Sequence, residues 1–404
     1  QERDVAQENF GRLRTILESA DPVRNPGLTV VQLLDSATKG LDDAPPAQDL
    51  TEAQIREILG SVYLKSAEYG KARDNLAKAV AIRERHAAGR DTPILADDLH
   101  NLAASLWWDN EYDKAEKLYV RSLFMRQRMF KGDNAAVAMS LTHLAACRLR
   151  LGKLADARRL YSEALAMRRR LYGAEHEEIA QSLNNLAKCS LDADDLDQAE
   201  PLFREALGMI LKLRGDKNLG TAAASQNLAD CLLRRVEAAQ IAGDLAGVRK
   251  WTAEAKEALE RALAIRTVTF PNGHHLIAAT LGGLARTEMW RGELSRAEDL
   301  AHQSVAMLRR TRPDHPDLAE GLGTLGSVLA AEGDNDGAIA ALQEALDLDA
   351  KAGPHLEVQL GRIRGELGLA LARSDRAEEG RKDVIQALEE TRAVRGDDSI
   401  DTTL

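Results

Sequence analysis

A spacing of about 42 residues recurs along most of this 404-residue chain, and few folds can accommodate it. Eight leucines mark the repeat: Leu59, Leu102, Leu144, Leu186, Leu228, Leu284, Leu325 and Leu367, at steps of 43, 42, 42, 42, 56, 41 and 42. A fixed period of this length means that one helical unit, too small to bury its apolar face alone, is stacked on copies of itself. The expected class is all-α: a solenoid of about eight helix-turn-helix repeats in a right-handed superhelix, behind an N-terminal helical cap. Such an array presents one long surface, and its default work is to hold a partner.

Composition agrees. Aromatic residues make up only 4% of the chain, and Ala, Leu, Glu and Arg dominate, as suits helices packed through small side chains. The formal charge of -10 argues against nucleic acid, whose affinity rests on Lys and Arg neutralising phosphates. No run of about 18 apolar residues occurs, and the first residues lack the basic and apolar stretches of a signal peptide. No membrane contact is expected of this fragment. It begins at Gln1, inside what reads as a helix over residues 1–20, so it is read as a piece of a longer chain.

The three cysteines, Cys147, Cys189 and Cys231, each follow a motif leucine by three residues and are therefore one position repeated. Equivalent helices of neighbouring units lie about 8–10 Å apart, whereas a disulfide needs Cα atoms within about 7 Å. Buried free thiols are expected, with neither disulfide nor metal site, and no cofactor is called for.

With the motif leucine as position 7 of each unit, the first copy reads Leu59-Gly60-x-x-Tyr63, then Ala72, Leu76 and Ala79. Later copies keep the small-large-small order: Ala115, Tyr119, Ser122; Ala157, Tyr161, Ala164; Ala199, Phe203, Ala206; Ala255, Leu259, Ala262. This is the pattern of a tetratricopeptide repeat (TPR), in which helix A approaches helix B at the small positions. Copies six to eight drift from it, so the array is expected to loosen toward its C-terminal end. Glycines at Gly152, Gly292 and Gly243 mark the turn between helices A and B. In the fifth copy 14 extra residues are shared between the two helices, which predicts a projecting helical hairpin around 236–254 with Trp251 near its root. Histidines in the loops between units (His176, His274, His275, His315) are read as structural. Residues 28–41 form an amphipathic helix. The chain divides into a cap and linker over 1–50, the array over 51–390, and a tail or truncated repeat over 391–404.

The strings LHNLA, LTHLA, LNNLA and SQNLA, with loops such as GAEHEEIA and RPDHPDLA, resemble the kinesin-light-chain type of TPR across about residues 51–398. FGRLRTILESADP followed by TVVQLLDSATKGL and the array is further similar to the region C-terminal to the kinase and membrane segments of planctomycete-like bacterial serine/threonine kinases. That likeness implies a regulatory or sensor region whose catalysis lies elsewhere, since the chain has no phosphate loop, His-Arg-Asp or Asp-Phe-Gly triplet. The compartment stays open: cytoplasmic, or extracytoplasmic if a membrane segment precedes.

On helix A, positions 4, 7, 8 and 11 form the buried stripe, and positions 2, 5, 6, 9, 12 and 13 face the opposite way. Position 6 carries Asn101, His143, Asn185 and Asn227; position 9 carries Lys188, Asp230 and Arg286; position 12 carries Trp107, and position 13 carries Trp108, Arg150, Asp192, Arg234, Trp290 and Arg373. Asn amides both donate and accept, so a row of them can bond the backbone of an extended peptide; the resemblance to kinesin light chains implies that role for Asn101, Asn185 and Asn227. The arginines and Lys188 could pair with carboxylates and the tryptophans accept an apolar anchor. The expected function is non-catalytic binding of a protein or peptide segment, acidic with bulky apolar anchors, with self-association through exposed end repeats. Arginine runs on helix B, such as Arg158-Arg159 and Arg168-Arg169-Arg170, are expected on a solvated outer face.

Overall fold

The computed structural model describes residues 29–43, 45–46, 48–352, 357–374 and 376–395. The helix expected over 1–20, the segment FGRLRTILESADP and the loop expected after Arg395 lie outside the described residues. Among the described residues there are seventeen helices and no strand.

The chain divides into two compact units, Gln1–Cys189 and Ser190–Leu404. The first holds α1 (Val30–Asp43) and three hairpins: α2 (Asp49–Lys65) with α3 (Tyr69–Ala87), α4 (Pro93–Trp108) with α5 (Tyr112–Met129), and α6 (Ala135–Arg150) with α7 (Leu154–Tyr172). Helix α8 (Glu177–Asp192) contains the division point. The second unit begins with α9 (Leu196–Arg214) and continues with α10 (Leu219–Ile241) and α11 (Leu245–Thr269), α12 (His275–Trp290) and α13 (Leu294–Thr311), α14 (Pro316–Glu332) and α15 (Asn335–Ala352), and α16 (Glu357–Arg373) and α17 (Ala377–Arg395).

Within each hairpin the small positions let the two backbones close. Ala72, Ala115, Ala157, Ala199, Ala255, Ala297 and Ala338 are all fully buried. At Gly60 an added Cβ would lie 2.6 Å from Cγ of Leu76, and at Gly326 it would lie 2.5 Å from Cγ of Leu342. The last hairpin is not looser than the rest, as its drifting sequence had led us to expect. There Gly368 faces Gly380, and a Cβ on Gly368 would stand 2.7 Å from the Gly380 carbonyl oxygen, so the large-small pairing has become glycine against glycine.

Helix A ends where the chain enters the left-handed region, at Gly152 (φ 71), Gly243 (φ 71) and Gly292 (φ 79), with Ala67, Asn110 and Asp194 taking the same conformation in other copies. The loop histidines cap the next helix A. Nδ1 of His176 accepts from the Glu178 amide at 3.1 Å, Nδ1 of His274 from Leu276 at 3.2 Å and Nδ1 of His315 from Asp317 at 3.2 Å. This satisfies donors that a helix start leaves unpaired. Asn134 and Asn218 do the same at their own helix starts.

Helices α10 and α11 run to 23 and 25 residues, against 16 and 19 for α6 and α7. Val236, Ala239 and Val248 hold the extra turns together, with Trp251 and Trp290 packed against them. The guanidinium of Arg235 lies 5.3 Å from the Trp251 ring.

Neighbouring hairpins are joined by a feature that the sequence reading assigned to the outside. Arg168 is not solvated: it is 6% exposed, donates to Ser182 Oγ at 2.6 Å and Thr142 Oγ1 at 3.1 Å, and pairs with Glu178 at 3.0 Å. Arg126 occupies the same place one unit earlier, at 1% exposure, donating to Ser140 and to the Ala136 carbonyl. Arg266 does so in the second unit, donating to Thr280 and to the Leu276 carbonyl at 2.9 Å. A guanidinium is tolerated in such a place only because its donors find acceptors. Where the arginine is replaced by Ile210 or Leu308, the hydroxyl opposite is also gone, and Ala224 or Gly321 stands in its place.

Candidate functional site

Successive A helices touch one another: α2 with α4 in the first unit, and α10, α12, α14 and α16 in sequence in the second. No pair of successive B helices makes comparable contact among the described residues. Closer spacing on one side of a stack makes that side the inner one, so the A helices line the concave face within each unit.

In the first unit this face carries Asn101, His143 and Asn185, all half-buried. The Asn101 amide makes no hydrogen bond with a described residue. Asn185 Oδ1 accepts from Gln181 Nε2 at 2.9 Å, one turn earlier on α8. His143 departs from the row of amides. Its ring stacks on Tyr119 with centroids 6.0 Å apart and meets His100 edge-on at 4.6 Å. Its Nδ1 lies 3.0 Å from the Met139 carbonyl oxygen, which can only accept, so the proton is on Nδ1 and Nε2 is left as an acceptor. Burial holds the His143 pKa below its ordinary value and draws His100 down to about 2, with His143 and Arg126 adding to the effect on His100. Both rings are therefore neutral. Lys188 is exposed and makes no ion pair among the described residues.

Trp107, Trp108 and Arg150 meet at the turn end of this unit. The two indoles are perpendicular with centroids 4.8 Å apart, and Trp108, 52% exposed, stacks on Tyr69 at 5.7 Å. Trp107 is half-buried, and its Nε1 has no acceptor. Arg150 lies over the Tyr112 ring at 5.6 Å and donates to its hydroxyl at 3.3 Å, which holds the side chain in place without a carboxylate opposite its charge.

In the second unit Asn227 is half-buried on α10 and is bonded within the protein. Two of the expected carboxylate-binding arginines are also occupied: Arg286 pairs with Glu237 at 2.7 Å, and Arg234 lies 3.7 Å from Asp194. Trp290 is turned from its expected role as an anchor for a ligand, because its ring packs against Val236, Ala239 and Val248 of the long hairpin.

Sequence reading placed Tyr119 as a packing side chain but missed its contact with His143, and missed His100 and the buried arginines. The arginines had a signal, the recurrence of Arg126, Arg168 and Arg266 each 14 residues before Ser140, Ser182 and Thr280. The His100 contact had none, because it depends on which ring of helix B reaches across.

The cysteines offer no reactive centre. All three are free and buried; Cys147 Sγ donates to the Tyr112 carbonyl at 3.3 Å, and burial pushes the Cys147 thiol up to about 12 and that of Cys231 up to about 11. No group of His, Cys, Asp and Glu among the described residues could hold a metal ion, and no described helix is long and apolar enough to cross a membrane.

Sequence models of the tetratricopeptide repeat match residues 134–210, 178–242 and 276–351, and a second model of the same repeat matches 96–135. No curated protein matches the chain. Among solved structures, a Rap protein complexed with competence and sporulation factor is 14% identical, covers 98% of this chain and 99% of its own, and superposes with a TM-score of 0.62. The apo form of the quorum sensor NprR from B. thuringiensis is 13% identical, with 96% and 99% covered and a TM-score of 0.60. TPR-like repeats from Podosopora anserina, named for kinesin light chain, are 23% identical over 53% of this chain and 95% of theirs, at a TM-score of 0.43. Repeat matches over more than half the sequence, with stacked helical hairpins inside each unit, make this chain a member of the tetratricopeptide repeat family.

Proposed function

We propose that this chain is a non-catalytic scaffold that holds an extended segment of a partner protein along the concave face of its A helices. The observation that supports this is the Asn101 amide on that face, which no described residue engages in a hydrogen bond, with His143, whose Nε2 is left as an acceptor, at the equivalent position of the next A helix. A peptide backbone offers the complementary groups in any sequence. Lys188 is an exposed cation on the same face for a ligand carboxylate, and Trp108 an exposed ring for an apolar anchor. Arg234 and Arg286 are less suited to recruit an acidic ligand, since each already has a carboxylate partner. The Rap protein of similar fold is complexed with a competence and sporulation factor; at 14% identity the likeness is one of fold.

The test is a peptide-array and pull-down screen with this chain, repeated with Asn101→Ala and Asn185→Ala combined. Weaker capture at unchanged helical content supports the reading. Equal affinity of the double variant for a captured segment would remove these amides from it.

A further inference from the structure

The A-helix face of the second unit is crowded with carboxylates. It carries Asp230 and Glu237 on α10, Arg286 on α12, Glu320 on α14, and Arg362 and Glu366 on α16. Both arginines are satisfied internally, Arg286 by Glu237 at 2.7 Å and Arg362 by Glu366 at 2.8 Å. Ser327 adds a hydroxyl to Glu366, and Gln226 Nε2 donates to Asp230 at 3.0 Å.

Glu320 is left over. It is exposed, and no described residue gives it a hydrogen bond or an ion pair. Asp230, Arg362 and Arg286 all lie within electrostatic reach of it. Surrounding protein desolvates its carboxyl and Asp230 repels it, and together these hold its pKa above the usual range. Four carboxylates thus face two guanidiniums, each guanidinium already paired. An incoming carboxylate would meet repulsion here, while a cation would complete the set.

We propose that this face takes a lysine or arginine side chain of the bound segment opposite Glu320, an inference that rests on the reading of the A-helix face as the docking surface. It selects for a basic residue at one place in the ligand, where the sequence alone had pointed to an acidic one.

The experiment uses the whole chain and three immobilised degenerate peptide pools of equal length, identical except for one fixed central residue, Lys, Gln or Glu. The Lys pool is expected to bind about fivefold more tightly than the Gln pool, and the Glu pool more weakly than either, as for a partly screened ion pair. Glu320→Gln should erase the Lys preference. Asp299→Asn, an equal change of charge at an exposed site on the B helix α13, should leave it intact. Asp230→Asn gives a second reading on the same face, with a reduced preference expected. A Lys preference that persists in Glu320→Gln, or falls equally in Asp299→Asn, overturns the inference and shows attraction by net charge only. Pools that bind without discriminating charge also overturn it but leave the docking face standing, whereas failure of every pool to bind removes both.

Discussion

The guanidinium of Arg126 reaches from the end of one hairpin to the hydroxyl of Ser140 on the first helix of the next, and both groups are buried. The pair recurs as Arg168 with Ser182 and Arg266 with Thr280, and it is lost as a pair at Ile210 with Ala224. Removing one member should therefore cost more than removing both. Arg126→Ile should destabilise the first unit by about 2–3 kcal/mol, since it takes the donor from the buried Ser140 hydroxyl and leaves the Asp97 carboxylate unpaired. Adding Ser140→Ala should restore about 1 kcal/mol of that. Urea midpoints of the two single variants and the double variant measure the coupling; strictly additive losses would show that the two side chains act independently.

Asp98 stands where other units have Ser140, Ser182 and Thr280, and it faces Arg83. Burial pushes its carboxyl up to about 7, outweighing the attraction of Arg83. In the unfolded chain the group titrates near 3.9. Between about pH 4 and pH 7 the folded chain holds a proton that the unfolded chain has released, so stability is lost as pH rises across that window. Asp98→Ser should flatten this dependence and raise the melting temperature above neutrality. Melting curves of the two proteins that run parallel with pH would contradict it.

Glycines in helices differ here in sign. Gly326→Ala would drive a methyl group into Leu342 and should cost about 1–3 kcal/mol by overpacking. Gly208 lies inside α9 with nothing within 4 Å of an added Cβ, so Gly208→Ala should stabilise by about 0.5–1 kcal/mol. Thermal unfolding of both variants checks the contrast, which fails if the two shifts share a sign.

The three thiols should resist alkylation near neutral pH in the folded protein and react fully in denaturant, because burial raises the pKa of Cys147 and Cys231 and all three are enclosed. Mass spectrometry after a timed pulse of iodoacetamide reads this directly. Native labelling as fast as denatured labelling would mean that the hairpins open readily.

The stacking could be read from sequence because it rests on period and residue size. Leu59 and its equivalents are buried, and the turn glycines take positive φ, as expected of them. What could not be read was how long side chains spend their donors. Arg168 has the same flanking charges as Arg169 and Arg170, and only the Ser182 hydroxyl 14 residues later distinguishes it. The same limit applies to the face proposed for a ligand. Helical phase places Arg150 and Trp290 on it, but Tyr112 and the long hairpin claim those side chains first. Asn101, half-buried on the same face, takes no hydrogen bond from any described residue, and which amide stays unbonded is not encoded in a one-dimensional pattern.

The four tryptophans are shared evenly between the units, Trp107 and Trp108 in one and Trp251 and Trp290 in the other. The first couple meets at right angles with one ring largely in water, and the second is half-buried against the aliphatic root of the long hairpin. Emission from the two couples should differ in wavelength, so the chain carries a built-in optical label for each half, and melting of one half before the other would be visible without any added dye.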